Sequence, residues 1–209
     1  MTFTNSAAKR GRFIAFEGGD GSGKSTQAAR LADSLEAVLT REPGGTPIGN
    51  KIRDLVLDPS HPELTSRTEA LLMAAARAQH VEERILPDLL AGRDVISDRF
   101  VASSLAYQGV GRDLGIDTIA DLNEFAINGL VPDLTVLLDV EPAAARNRLG
   151  DDLDRIEEAG ADLGRQVVET YRVLAASSPD RWVVVDATGS IDEVAERVRS
   201  AVDDRLGAR

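Results

Sequence analysis

The sequence predicts an α/β fold: a five-stranded parallel sheet with helices on both faces. Two observations predict it. Short apolar runs rich in β-branched residues alternate with longer segments of helical spacing along the chain. The first of those runs passes into "GGDGSGKS", a glycine-rich turn that opens a helix. "RFIAFE" (12–17) is the first strand and "KSTQAARLADSLEA" (24–37) the helix after it; "VLTRE" (38–42) is a second strand. Helical spacing then covers 46–57 and 67–91, with a kink expected at Pro87. "DVISD" (94–98), "LTVLLDV" (134–140) and "RWVVVD" (181–186) complete the strands, and helices at 117–128, 142–148, 161–176 and 190–206 fill the intervals. Strand, helix, strand in this order implies right-handed crossovers.

At 209 residues, without internal repeat or low-complexity linker, the chain reads as one domain over 12–209 behind a flexible tail, 1–11. The tail carries a few basic residues, but the apolar run after it is too short for a signal peptide, and no stretch reaches the length of a membrane span. A net charge of −11 disfavours nucleic acid or an anionic membrane as partner, since both reward basic surfaces. The absence of cysteine excludes disulfides, thiolate metal sites and thiol nucleophiles, and it fits a reducing, cytoplasmic setting. "GDDLDRIEEAGADLG" (150–164) is rich in glycine and acid without periodicity, and it reads as a mobile segment.

Gly18, Gly19, Asp20, Gly21, Ser22, Gly23, Lys24, Ser25 and Thr26 have the spacing and the strand-to-helix setting of a P-loop, which assigns the chain to the three-layer P-loop NTPase fold. Its backbone N–H groups and the helix N-terminus converge on phosphate oxygens. Lys24 is expected on the β- and γ-phosphates of ATP, and Ser25 on Mg²⁺. Asp98, at the carboxyl end of its strand, is expected beside the phosphates, as a partner of Mg²⁺, as an aid to the neighbouring arginine or as the cap of the next helix. Arg41, Arg53 and Arg99 follow neighbouring strand ends and suggest a second phosphate site, because the guanidinium fork matches phosphate oxygens. Met73 and Arg77, four apart on one helix face, together with Ser104, Tyr107 and Gln108, offer the apolar plate and edge groups that a nucleobase needs.

Taken in order, "FEGGDGSGKST", "TREPGGTPIGNKIR", "RTEALLMAAARAQH", "SDRFVASSLAYQG", "LNEFAINGLVPDLTVLLDV" and "LDRIE" resemble bacterial thymidylate kinases, over nearly the whole chain. The resemblance implies ATP + dTMP → ADP + dTDP with Mg²⁺, in dTTP biosynthesis. It implies that Asp20 faces the 3′-hydroxyl of dTMP, that Arg53 and Arg99 hold the acceptor phosphate with Arg41 nearby, and that Arg77, Gln108 and Ser104 bond the thymine edge. The Tyr107 ring would then sit where a ribose 2′-hydroxyl projects.

Two positions depart from the pattern. Met73 stands where the family usually stacks a phenylalanine on the base. Gly21 stands where some relatives carry a catalytic arginine; relatives without it draw arginines from a lid, here about 149–164. Arg155 and Arg148 are expected to reach the transferring phosphoryl group, with Arg146 packing on adenine. Members pair as homodimers, and "LNEFAINGL" with the 67–91 helix could supply that face. The alternatives are a kinase for another monophosphate or a deoxynucleoside, and a poorly active nucleotide-binding regulator.

Overall fold

The computed structural model describes residues 10–146, 148, 154–156 and 160–208. Its five strands are β1 (Phe13–Glu17), β2 (Val38–Arg41), β3 (Val95–Asp98), β4 (Leu134–Asp139) and β5 (Trp182–Asp186). All pair in parallel, in the order β2-β3-β1-β4-β5. β1 is central and buried along its whole length, as its unbroken apolar run requires. Ile14, Phe16 and Leu138 pack against Ala28 and Leu31 of α1 (Lys24–Leu35) and Val198 of α9 (Ile191–Leu206) on one face. On the other face Phe13, Ala15 and Val95 meet Ile85, Leu89 and Phe100. Register places Asp98 beside both Phe16 and Arg41, so β1, β2 and β3 all deliver their last residues to one edge.

The remaining helices are α2 (Pro47–Leu57), α3 (Ser66–His80), α4 (Leu86–Leu90), α5 (Val101–Ser104), α6 (Ile116–Ile127), α7 (Pro142–Arg146) and α8 (Ala161–Ser177). The single helix expected over 67–91 is α3 and α4 joined through a π-helical turn, Val81–Ile85. Pro87 lacks an N–H, and its ring would crowd the carbonyl one turn earlier; the wider turn just before it relieves that conflict. No helix was expected over 101–111, yet α5 continues there as a π-helical segment, Leu105–Gly111. Its glycines at 109 and 111 mask the helical pattern, and its first turn is capped from outside: Glu17 accepts from the N–H of Phe100 at 2.9 Å and of Ser103 at 3.2 Å. Of the expected tail, 1–9 lie outside the described residues; Gly11 N–H donates to Leu89 O and Arg10 pairs with Asp133. The expected lid falls largely outside them too, at 149–153 and 157–159.

One glycine fixes how the β2–α2 loop approaches the core. Gly45 has φ +79°, and a Cβ there would fall 2.5 Å from His80 Nε2 and 2.7 Å from Thr40 Oγ1. Both atoms are buried and bonded to each other, so neither can withdraw. Gly45→Ala is expected to cost about 2 kcal/mol or more of unfolding free energy. Urea unfolding reads it, and a loss under about 0.5 kcal/mol, the size of a neutral surface change, contradicts the reading.

Candidate functional site

α1 is preceded by Gly23 at its cap position, whose φ is 91°; no side chain caps the helix and no acidic residue lies in its first turn. Its first N–H groups and positive dipole end therefore face the turn, a ready anion site. Gly18 holds the entry: a Cβ there would stand 2.7 Å from Leu138 O, so the loop and β4 can approach only without one. Lys24 Nζ donates to Gly19 O at 2.7 Å. Burial, with Arg99 nearby, pulls the Lys24 pKa down to about 8, and Asp20 and Asp98 oppose the fall. The lysine thus remains charged at neutral pH.

Two cavities adjoin along the carboxyl edge of the sheet. The larger, about 550 Å³, is lined by the P-loop, Arg41, Arg148 and the 187–191 turn. The smaller, about 80 Å³, is lined by Met73, Arg77, Ser104, Tyr107 and Gln108, with Leu57 and Ile156. Asp20, Glu42, Arg53, Arg99 and Asp154 line both, and so mark where the two meet.

Arg99 is the hub of that junction. It adopts φ 73°, a conformation sparsely used by side-chain-bearing residues and found where surrounding contacts enforce it. Its N–H donates to Phe16 O, and its guanidinium reaches Asp20, Gly18 O, Ser103 and Tyr171. The guanidinium also lies 5.3 Å over the Tyr107 ring. The Tyr107 hydroxyl donates to Asp20 at 2.6 Å. Burial alone would raise the Asp20 pKa; Arg99 and Lys24 outweigh it, and the carboxylate is held below its usual range. Arg53 donates to Pro43 O at 3.0 Å, and burial followed by the nearby Arg41 lowers its pKa.

Arg77 sits deeper than expected for a residue free to grip a base. Its guanidinium donates to Glu42 at 2.7 Å, Ser104 at 3.0 Å, Phe100 O at 3.1 Å and Asn123, which occupies four of its five N–H groups. Glu42 in turn bonds His80, whose other ring nitrogen meets Thr40. Burial would raise Glu42, but Arg77 and His80 prevail and keep it ionised. One N–H of Arg77 is left for a ligand.

Ser25 donates to Asp98, whose other oxygen, Oδ1, is buried without a hydrogen-bond partner among the described residues. A hydroxyl beside an open carboxylate oxygen is a hard oxygen donor set, which fits Mg²⁺ or one of its waters. No cluster of three or more acidic, His or Cys residues suited to a metal occurs among the described residues. The remaining coordination would therefore come from phosphate and water.

The structure thus brings together Asp20, Lys24, Ser25, Arg41, Arg53, Asp98, Arg99 and Arg148 around the larger cavity, and places Met73, Arg77, Ser104, Tyr107 and Gln108 around the smaller. It does not bring Arg155 there. That side chain donates to Val56 O at 2.8 Å and Glu69 at 2.6 Å and lines neither cavity. Arg148 lines the larger cavity and donates to Ala187 O, which also lines it. The Arg146 side chain lies outside the described residues. Sequence reading missed Glu17, Glu42, Glu69 and Tyr171. Glu17 and Glu42 stand inside the motifs already quoted, Glu17 just before the P-loop and Glu42 next to Arg41. Glu69 also stands inside a quoted motif, but only packing shows what it and Tyr171 touch.

The thymidylate kinase family model matches residues 16–198. A thymidylate kinase of Lactobacillus helveticus is 45% identical over 208 residues, covering 94% of this chain and 98% of the relative. One from Finegoldia magna is 48% identical over 189 residues, covering 87% and 93%. A crystal structure of thymidylate kinase from Ehrlichia chaffeensis superposes with a TM-score of 0.78 at 31% identity, over 92% of this chain and 99% of that one.

Proposed function

The chain belongs to the thymidylate kinase family, and on that premise we propose that it moves the γ-phosphoryl group of Mg²⁺-bound ATP in the larger cavity onto the 5′-phosphate of dTMP in the smaller. The observation that carries the reading is the shared wall: Asp20, Arg53 and Arg99 line both cavities, so donor and acceptor phosphates meet end to end there. An acceptor phosphate oxygen attacks the γ-phosphorus in line, the bond to the bridging oxygen breaks, and ADP leaves. Lys24 and the α1 N-terminus hold the donor phosphates, while Arg53 and Arg99 orient the acceptor oxygen and oppose charge on the equatorial oxygens. Mg²⁺, held through Ser25 and Asp98, supplies charge to the donor phosphates when bound. Asp20 takes the 3′-hydroxyl, and Met73 covers the base by its polarizable thioether. The guanidinium of Arg148 is the lid-side candidate for donor contacts, in preference to Arg155.

The same reading makes the chain a cytoplasmic homodimer. Among the described residues no helix is long and apolar enough to cross a membrane. Phe125 of α6 is 89% exposed, and Leu71 of the adjoining α3 is 58% exposed, an apolar face that suits a second copy. The experiment is coupled ADP release with ATP and Mg²⁺, comparing dTMP with dUMP, the ribose form of TMP, dCMP, dGMP and thymidine, beside the sedimentation mass. Turnover led by dTMP is the expected result; turnover led by another acceptor overturns the assignment of the smaller cavity.

A further inference from the structure

Glu69 touches neither cavity, yet its carboxylate is only 1% exposed and receives side chains from three directions. Gln108 Nε2 donates to Oε1 at 2.8 Å. Arg112 donates to both oxygens, at 3.3 and 3.2 Å, and Arg155 to Oε2 at 2.6 Å. The backbone N–H of Arg155 also donates to Leu57 O at 3.1 Å, which fixes the lid-side residue against α2. Burial would raise the Glu69 pKa, but Gln108 and the two arginines outweigh it and keep the group ionised. An ionised carboxylate accepts only.

That constraint has a consequence for Gln108. Its amide could in principle face the smaller cavity either way round. With an acceptor-only neighbour the NH₂ end must turn to Glu69, which leaves the carbonyl oxygen as the end available to the smaller cavity that Gln108 lines. A carbonyl oxygen accepts from the N3–H of thymine or uracil. It meets the lone pair at N3 of cytosine with repulsion.

We propose that Glu69 is a positioning residue for base selection: it fixes the orientation of the Gln108 amide, so that the pocket accepts a base carrying an N3–H and rejects cytosine. The proposal rests on the assignment of the smaller cavity to dTMP. In Glu69→Gln the neighbour both donates and accepts, so the Gln108 amide can turn over, and the preference for dTMP over dCMP in kcat/KM falls about tenfold. Most of that change comes from KM, because the reacting phosphates are untouched.

The test compares the parent, Glu69→Gln, Gln108→Met and the double variant with both acceptors. Glu69→Gln lowers the preference in the parent background and leaves it unchanged in the Gln108→Met background, which a merely structural role would not do. A preference within twofold of the parent in Glu69→Gln overturns the proposal, and so does an equal loss in both backgrounds. Should Glu69→Gln fail to fold, Glu69→Asp carries the same comparison, since the shorter side chain withdraws the acceptor. A parent that does not turn over dTMP overturns the assignment of the cavity and this inference with it; an active parent with an unmoved preference overturns this inference alone.

Discussion

Replacing Lys24 with methionine lowers kcat about a thousandfold, the scale of losing one preorganised charge in phosphoryl transfer. The same change raises the melting temperature of the nucleotide-free protein. Burial holds the Lys24 pKa near 8 in the folded state, against 10.5 for the free side chain. That shift corresponds to a penalty on the order of 3 kcal/mol for keeping the ammonium buried. That figure is net: the attraction of Asp20 and Asp98 and the hydrogen bonds to Gly19 O and Ser22 are already contained in it. At each kcal/mol, a protein of this size gains about 2–4 °C. Between pH 8 and 10.5 the unfolded chain binds the extra proton, so parent stability rises with pH through that window. The advantage of Lys24→Met is therefore fullest below pH 8 and shrinks above it. Calorimetry from pH 7 to 10 reads this, and a variant that melts below the parent at pH 7 refutes it.

Arg99→Ala should lower kcat/KM for dTMP about a thousandfold, since it removes the guanidinium from the junction of both cavities. It should also destabilise the fold by about 2 kcal/mol, less than a fully buried pair because both partners keep some water contact. The cause is Asp20, left among buried groups without its main counter-charge. Asp20 has a depressed pKa, so its stabilising effect is present above 3.8 and lost as pH falls through the folded value. Parent and variant stabilities should accordingly differ most above pH 4 and converge in stronger acid. Adding Asp20→Asn to Arg99→Ala restores stability without restoring activity. A variant with parental kcat/KM removes Arg99 from the proposed machinery.

Particular elements show how far local pattern reaches. Each of the five strands lies within about one residue of its expected place, and the buried ones, β1, β3 and β4, are the short apolar runs that a strand covered on both faces requires. The P-loop needs only its own nine residues and the strand and helix beside them. By contrast, the helix over 101–111 was missed: two glycines break its pattern, and its cap, Glu17, is 86 residues from Ser103. The same distance in sequence separates Glu69 from Arg155, and no spacing rule links them.

Sequence alone thus determined the sheet and the phosphate turn and offered candidates to meet a nucleotide, since those follow from hydrophobic period, backbone permissiveness and side-chain chemistry. Tertiary structure alone decided which of them are free to act. It encloses Arg77 in four hydrogen bonds, turns Arg155 onto Glu69, and leaves Arg99 at the meeting of two cavities. The reason is physical: a guanidinium takes whichever buried acceptors the packed chain brings within reach, and a burial partner can come from any distance along the sequence.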